Sequence, residues 1–370
     1  MGKMHRLSRY TWAAAFAVSE WSSMGLPDAS DSRLAELTRW VFDDLGFAGG
    51  RIAPASADAS FRRYFRVTRG EDTYIVMDAP PEKEDLGPFS SMARLLLRIG
   101  VNVPVILAAN SKRGFLLLSD LGVRQYLDEL ADDGAADRLY ADALGALSTM
   151  QMANGAMARD LPRYSHALLM REMELMPEWF LGAHLRLQIS AAERGMLSGQ
   201  FEMLAQCALA QPAAFVHRDY HSRNLLVTET DNPGILDFQD AVWGPVTYDL
   251  VSLLKDCYIA WPAPRVRAWA LQYRERLLAA GFPLGGATEA EFIRWFDLMG
   301  LQRHIKVLGI FARLFYRDGK PQYLKDLPRV LRYTREAAEA YAETGQLADF
   351  IAGRIEPEFL DAQARSLSDS

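Results

Sequence analysis

No apolar run in this chain approaches the roughly twenty residues that a membrane helix needs, so a helical span is excluded. Cysteine is almost missing. Cys207 and Cys257 are the only two, they lie far apart, and neither sits in a metal-type spacing. That leaves no disulfide framework to build on and points to reduced thiols in a cytoplasmic protein. Positive charge is not in excess either: the formal net charge is −6. Nucleic-acid-binding domains are usually basic, so no such partner is expected. No internal repeat and no long low-complexity linker interrupts the chain.

What is present is ordinary globular material. Half of the 370 residues are hydrophobic and 24% are charged, enough for a large core and, by length, two domains. Lys3, His5, Arg6 and Arg9 precede a short apolar stretch, residues 10–18, that loosely imitates a signal peptide. Because that stretch is short and Met24 offers a second start, residues 1–24 are read as a dispensable extension rather than an export signal.

Leu34, Leu37, Val41 and Leu45 recur at helical spacing over 31–45. Residues 62–68 and 73–77 read as strands joined by the turn Gly70-Glu71-Asp72. A short amphipathic helix follows at 88–98, then strands at 101–108 and 114–119. From Gln125 on, helical patterns dominate, at 136–153, 166–188, 190–209, 264–280, 288–317 and 327–346. The exception is 215–238, where 215–216, 224–228 and 234–238 read as short strands. The expectation is an α+β, two-lobe architecture. A small β-rich lobe covers 25–119, a larger helical lobe covers 120–370, and a ligand cleft lies between them.

The densest polar chemistry lies in that late β patch. Residues 215–227 read FVHRDYHSRNLLV, with apolar ends framing two His, two Arg, an Asp and an Asn. His217-x-Asp219-x-x-x-x-Asn224 matches H-R-D-x-x-x-x-N, the pattern of the kinase catalytic loop. Thirteen residues beyond Asn224, Ile235-Leu236-Asp237-Phe238-Gln239 has the character of a metal-binding Asp at the end of a short strand. Phosphoryl transfer needs both pieces: a carboxylate beside the attacking hydroxyl, and oxygen ligands holding Mg²⁺ against the phosphates. Asp219 is the expected proton acceptor, and Asn224 and Asp237 are the expected Mg²⁺ ligands. The alternative is a polar connection between strands, with His217 satisfying backbone groups. A strand-borne Asp at the right distance favours the catalytic reading.

The chain resembles the aminoglycoside phosphotransferase family, the small-molecule branch of the protein-kinase-like fold, over about residues 33–340. The resemblance is carried by VHRDYHSRNLLV, by GILDFQDAVWGPVTYDLVSLL and by LLLSDLG at 116–122. It implies ATP with Mg²⁺ as cofactors, and Asp219, Asn224 and Asp237 in the roles just given. It makes Asp249 the residue that begins a helix and braces the catalytic loop, with its side chain able to cap that helix. It makes His217 a second structural residue. Leu118, Ser119 and Leu121 fall in the hinge between lobes, where backbone groups read the adenine. His221 takes the loop position of a kinase lysine; it either contacts phosphate or substrate, or only shapes the loop.

Two departures from the kinase pattern stand out. Residues 57–64 occupy the place of the glycine-rich loop and contain no glycine. Small residues still let backbone N–H groups approach phosphate, though positive φ is less accessible. Ser60, Arg62 and Arg63 are the expected nucleotide contacts here, against the alternative of an arginine-rich solvated edge. Met77 takes the place of the strand lysine, and the helix over 88–98 has no acidic residue to pair with one. The joint loss is consistent, since a lone buried carboxylate is costly. The phosphates must then be held by other groups, such as Arg62, Arg63 or Lys83.

Within the family the chain is similar to a narrower group, the bacterial anomeric sugar kinases of cell-wall recycling. These phosphorylate N-acetylmuramate and N-acetylglucosamine at C1. The likeness is carried by DASFRRYFR at 58–66, YIVMDAPPE at 74–82, MPEWF at 176–180 and QRHIKVLGIFARL at 302–314. It implies a small-molecule sugar substrate and a monomer with no membrane partner. Glu172, Glu174, Glu178 and Trp179, on a helix expected to overhang the cleft, suit a sugar as hydroxyl acceptors and stacking plane. The plainer reading is an acidic surface with a core Trp. Arg303, His304 and Lys306 form a basic cluster suited to a lactyl carboxylate, or a surface patch. Asp240 is expected to reach substrate hydroxyls. Two other functions stay open: an aminoglycoside or amino-alcohol kinase, and a nucleotide-binding pseudokinase module. The intact base and metal ligands argue against the second.

Overall fold

Alternation along five strands sorts the first part of the chain into two apolar layers. The computed structural model describes residues 31–57, 61–130, 133–153 and 161–368; the expected extension over 1–24 and Ser60 lie outside them. Helix α1 (Ser32–Arg39) is capped by Asp31, which accepts from the Leu34 N–H at 3.0 Å, and runs on as a wide turn over Trp40–Asp44. Strands β1 (Arg51–Ala57), β2 (Arg63–Arg69) and β3 (Asp72–Asp78) are followed by helix α2 (Leu86–Arg98). Strands β4 (Ile106–Asn110) and β5 (Phe115–Ser119) complete an antiparallel sheet of order β1-β2-β3-β5-β4. Phe65, Val67, Val76, Phe115 and Leu117 face Leu37, Trp40 and Val41 of the α1 segment. The opposite face carries Met77, Leu116 and Leu118, which pack with Phe89, Met92, Ala93 and Leu96 of α2. Gly70, at φ 62, makes the β2–β3 hairpin turn.

The strand expected over 101–108 begins only at Ile106. Pro104 has no N–H to donate to a ladder. Val105 instead brackets Ser119, giving its carbonyl to the Ser119 N–H at 2.9 Å and its own N–H to the hydroxyl at 2.8 Å.

The remainder is helical around two short β pairs. In order it runs α3 (Tyr126–Glu129), α4 (Asp133–Met152), α5 (His166–Met173), α6 (Ala191–Leu209), β6 (Ala213–Val216), β7 (Leu225–Leu226), β8 (Gly234–Ile235) and β9 (Val242–Pro245). Then come α7 (Tyr248–Leu254), α8 (Ala263–Ala279), α9 (Glu289–Tyr316), α10 (Leu327–Glu339), α11 (Gly345–Phe350) and α12 (Glu356–Ser368). β6 pairs with β9, and β7 with β8. The single helix expected over 166–188 is two: α5 stops at Met173, and a wide π-type helix, Met176–Leu185, starts with Pro177 in its first turn. The pattern over 327–346 likewise breaks at Glu339. Helix α9 passes very close to the α5 end. A Cβ at Gly309 would lie 2.3 Å from the Leu175 carbonyl carbon, so only glycine fits that crossing. Among the described residues no helix is long and apolar enough to cross a membrane.

Candidate active site

The loop 217–224 is held at both ends by strands, since β6 finishes at Val216 and β7 starts at Leu225. Its polar middle is then stapled from several directions. Asp249, buried in the first turn of α7, accepts from the His217 N–H at 2.6 Å and from the Arg218 N–H at 3.0 Å. Burial pushes its carboxyl up to about 7 against the pull of those two N–H groups. Its two oxygens hold the first N–H groups of the loop, and it does not cap its own helix. Thr247 holds the cap position there, but its hydroxyl donates to Gln211 at 2.7 Å and not to the helix, and the Asp249 oxygens are occupied by the loop. His217 is buried and accepts from the Asp219 N–H at 3.3 Å. The Tyr220 hydroxyl donates to the Ala143 carbonyl at 2.8 Å, and the Ser222 N–H and hydroxyl both donate to Asp256, at 2.9 and 2.6 Å.

One amide joins the expected base to the expected metal ligand. Asn224 Nδ2 donates to the Asp219 carbonyl at 2.9 Å and lies 3.5 Å from Asp237 Oδ2. The Leu236 N–H donates to the Asn224 carbonyl at 2.9 Å, which fixes the two segments side by side. Asp237 sits at φ 62, a strained position for an Asp, and its Oδ1 accepts from Gln239 Nε2 at 2.7 Å. Phe238 is buried against Phe89 of α2, with ring centroids 5.0 Å apart, so the segment is also tied to the sheet lobe. Burial alone would raise the Asp219 carboxyl. The surrounding positive groups, Lys306 foremost, hold it below its ordinary value and keep it ionised. The donor set fits Mg²⁺: with Asn224 Nδ2 engaged, its Oδ1 and the Asp237 carboxylate remain as hard oxygen donors. Among the described residues no group of three His, Cys, Asp or Glu could hold an ion alone.

The nucleotide-side expectations fare unevenly. Arg63 is a correction. The pleat puts it on the α1 face with Phe65, where it is held by Asp31 and by the buried Asp78, the latter at 2.6 Å; Arg33 binds the same Asp78. Arg62, on the other side of the strand, lies 3.4 Å from Glu84, whose other oxygen accepts from the Phe61 N–H at 3.2 Å. Met77 is fully buried on the α2 face. Leu118 lies inside β5 between Ile75 and Ile106, and the Ser119 N–H belongs to Val105, so neither offers a free hinge N–H. Leu121 is the first of the three outside the ladder. Arg66 of β2, which the sequence reading passed over, forks onto Asp120 at 2.6 and 3.1 Å and ties the sheet to this connection.

On the substrate side, Glu178 and Asp240 are exposed and Trp179 is half-buried against the core. Glu174 pairs with Arg194. His221 presents its ring edge to Tyr258, centroids 5.3 Å apart, and its buried Nδ1 has no partner among the described residues. Arg303 corrects an expectation: it is 4% exposed and lies 3.5 Å from the Cys257 Sγ, so it is no open receptor for a carboxylate. His304 turns away altogether, bonding the Lys255 carbonyl at 3.0 Å and stacking on Tyr333. The basic cluster at 303–306 is divided because successive side chains of a helix point in different directions. The sequence reading gave no role to Arg218 or Gln239. Lys306 was read in the basic cluster suited to a lactyl carboxylate or a surface patch, but it is buried and lies 3.0 Å from Glu172.

These buried groups predict a pH dependence of stability. Burial takes His217 down to about 4 and His304 to about 3, against roughly 6.5 in an unfolded chain. Between pH 6.5 and 4 the unfolded chain therefore binds two protons that the folded chain does not, and stability falls as pH falls. Asp249, raised to about 7, opposes this by holding one proton that the unfolded chain has released. Burial lowers His221 as well, so the net is at least one proton, a loss of about 1.4 kcal/mol or more per pH unit on acidification. Urea unfolding at pH 7 and pH 5 should show it; equal or higher stability at pH 5 would contradict the assignment.

A model of the phosphotransferase enzyme family matches residues 51–290. An N-acetylmuramate/N-acetylglucosamine kinase of Pseudomonas aeruginosa is 46% identical over 334 residues, spanning 88% of this chain and 97% of its own. The protein of the same name from Neisseria meningitidis serogroup B is 41% identical over 311 residues, 83% of this chain and 91% of its own. Among solved structures, the GDP complex of aminoglycoside 2'-phosphotransferase-IIIa superposes with a TM-score of 0.56 at 18% identity, covering 84% of this chain and 100% of that one. A choline kinase from Streptococcus pneumoniae gives 0.57 at 10% identity, covering 82% and 100%. At those identities the likeness is one of fold, and the fold is kinase-like.

Proposed function

The chain belongs to the phosphotransferase enzyme family, and from that membership we propose that it transfers phosphate from ATP to the anomeric C1 hydroxyl of N-acetylmuramate and N-acetylglucosamine. The observation that carries the reading is the single Asn224 amide between Asp219 and Asp237, 2.9 Å from the carbonyl of one and 3.5 Å from the carboxylate of the other. It supports a proposed proton acceptor beside a proposed pair of cation ligands, the arrangement phosphoryl transfer requires. The names of the relatives supply the sugar.

Asp219 orients the attacking hydroxyl and takes its proton. Because Asp219 stays ionised, it is ready at neutral pH. An anomeric hydroxyl is more acidic than an ordinary alcohol, since the ring oxygen stabilises its anion, so positioning is the larger part of that work. Bound by Asn224 and Asp237, Mg²⁺ would neutralise charge on the transferring phosphate. Leu121, just past the end of β5, marks the backbone proposed to read the nucleotide base. Arg62, which lies 3.4 Å from Glu84, is the proposed cation on the phosphate side, where Arg63 is turned to the α1 face. Glu178, Trp179 and Asp240 are the proposed sugar contacts at the mouth. The need for ATP supports a cytoplasmic setting.

The test is chemical. With ATP, N-acetylglucosamine and N-acetylmuramate should give a sugar 1-phosphate by phosphorus NMR. Their 1-O-methyl glycosides, which lack the attacking hydroxyl, should not react. A 6-phosphate product, or equal turnover of the glycosides, would overturn the anomeric assignment and leave the phosphotransferase fold untouched.

A further inference from the structure

Glu172, at the C-terminal end of α5, is 5% exposed, and three groups converge on it. The Tyr164 hydroxyl and Arg218 Nη2 donate to its two oxygens, and Lys306 Nζ lies 3.0 Å from Oε1. Lys306 also donates to the Tyr248 hydroxyl at 3.0 Å. Arg218 immediately precedes Asp219. Its N–H is held by Asp249 and its guanidinium by Glu172, while its backbone sits at φ 79. A residue other than glycine keeps such a φ only where its surroundings over-determine it. Gly309 contributes from a distance. By letting α9 close on Leu175, it brings Lys306, one turn earlier on the same helix, against the end of α5.

We propose that Glu172 is a positioning residue: it ties Arg218 and Lys306 into one buried knot and so fixes how the 218–219 peptide presents Asp219. This rests on the reading of Asp219 as the proton acceptor. Lys306, held in the same knot, is also the foremost charge keeping the Asp219 carboxyl low. A merely structural carboxylate that balances two buried cations would affect folding. A positioning carboxylate affects turnover in molecules that are folded.

Glu172→Gln and Arg218→Gly, singly and together, separate the two. Each single change should lower kcat about tenfold or more while the KM for sugar and for ATP moves less than about threefold. The double variant should be no worse than the worse single one, because both break the same link. Hydrogen exchange should quicken across 215–227 and stay unchanged in strands β2, β3 and β5. Glu172→Gln strips two buried cations of their carboxylate, and its folding is at risk. Arg218→Gly leaves Glu172 paired with Lys306 and gives a left-handed backbone the residue that favours it, so it carries the test alone if necessary. The proposal is overturned if folded variants keep kcat within about twofold, if the loss lies only in sugar KM, or if the two changes add. A wild-type protein that phosphorylates no amino sugar would sink the substrate reading instead, and the exchange comparison would still decide the role of Glu172.

Discussion

Asp219→Asn is expected to lower kcat by about three orders of magnitude, within the range for removing a positioned general base. Asparagine keeps the shape and loses the proton-accepting charge. The nucleotide side should not notice. Asn224 holds residue 219 through its carbonyl, not its side chain, at 2.9 Å, so the metal ligands keep their places. The KM for ATP and the MgADP affinity measured by titration calorimetry should therefore stay within about a factor of three. The activity that remains should be less dependent on pH on the acid side, because the ionised carboxylate held low by Lys306 and its neighbours is gone. Turnover within tenfold of the wild type would remove Asp219 from the base role.

Asp237→Ala should be the more severe change, because it strikes binding and catalysis together. The side chain supplies a carboxylate at a strained φ of 62, and Gln239 and Asn224 flank it at 2.7 and 3.5 Å. No other side chain from Ile235 to Gln239 offers a hard anionic oxygen, and the exposed Asp240 is assigned to the sugar. Without it the divalent cation keeps one amide oxygen, too little to hold Mg²⁺ against phosphates. Activity should fall by about four orders of magnitude or more, as expected when a charge clamp on the transferring group is lost. Nucleotide affinity should become the same with and without Mg²⁺. Unchanged MgATP affinity in calorimetry would show that the cation is held elsewhere. Alanine tolerates φ above zero less well than aspartate, so a thermal melt showing the variant folded accompanies the calorimetry.

The parts of the site that lie within one short stretch were legible before any coordinates. His217, Asp219 and Asn224 share a loop of eight residues, and its geometry follows from strands at both ends. The thirteen-residue interval to Asp237 spans a two-strand hairpin, β7 to β8, which returns the chain beside its start. Spacing in sequence is then nearly spacing in space. The two-lobe division was legible for a similar reason. A period of two gives way to a period near 3.6 at about residue 125, and each period sorts side chains by burial.

Other assignments required the folded chain. Arg62 and Arg63 are neighbours in sequence, yet one faces the β3–α2 segment at Glu84 and the other an ion cluster behind the sheet, because register decides which face a strand residue joins. Arg303, His304 and Lys306 read as one basic cluster, and the winding of α9 sends them to Cys257, Lys255 and Glu172. Local chemistry and periodicity thus determined the fold class and singled out the proposed base and cation ligands. What only the tertiary structure decided is which distant charges meet. Glu172, Arg218 and Lys306 come from three separate elements, and ionic pairing inside a core depends on helix crossings such as the one at Gly309, which no sequence interval encodes.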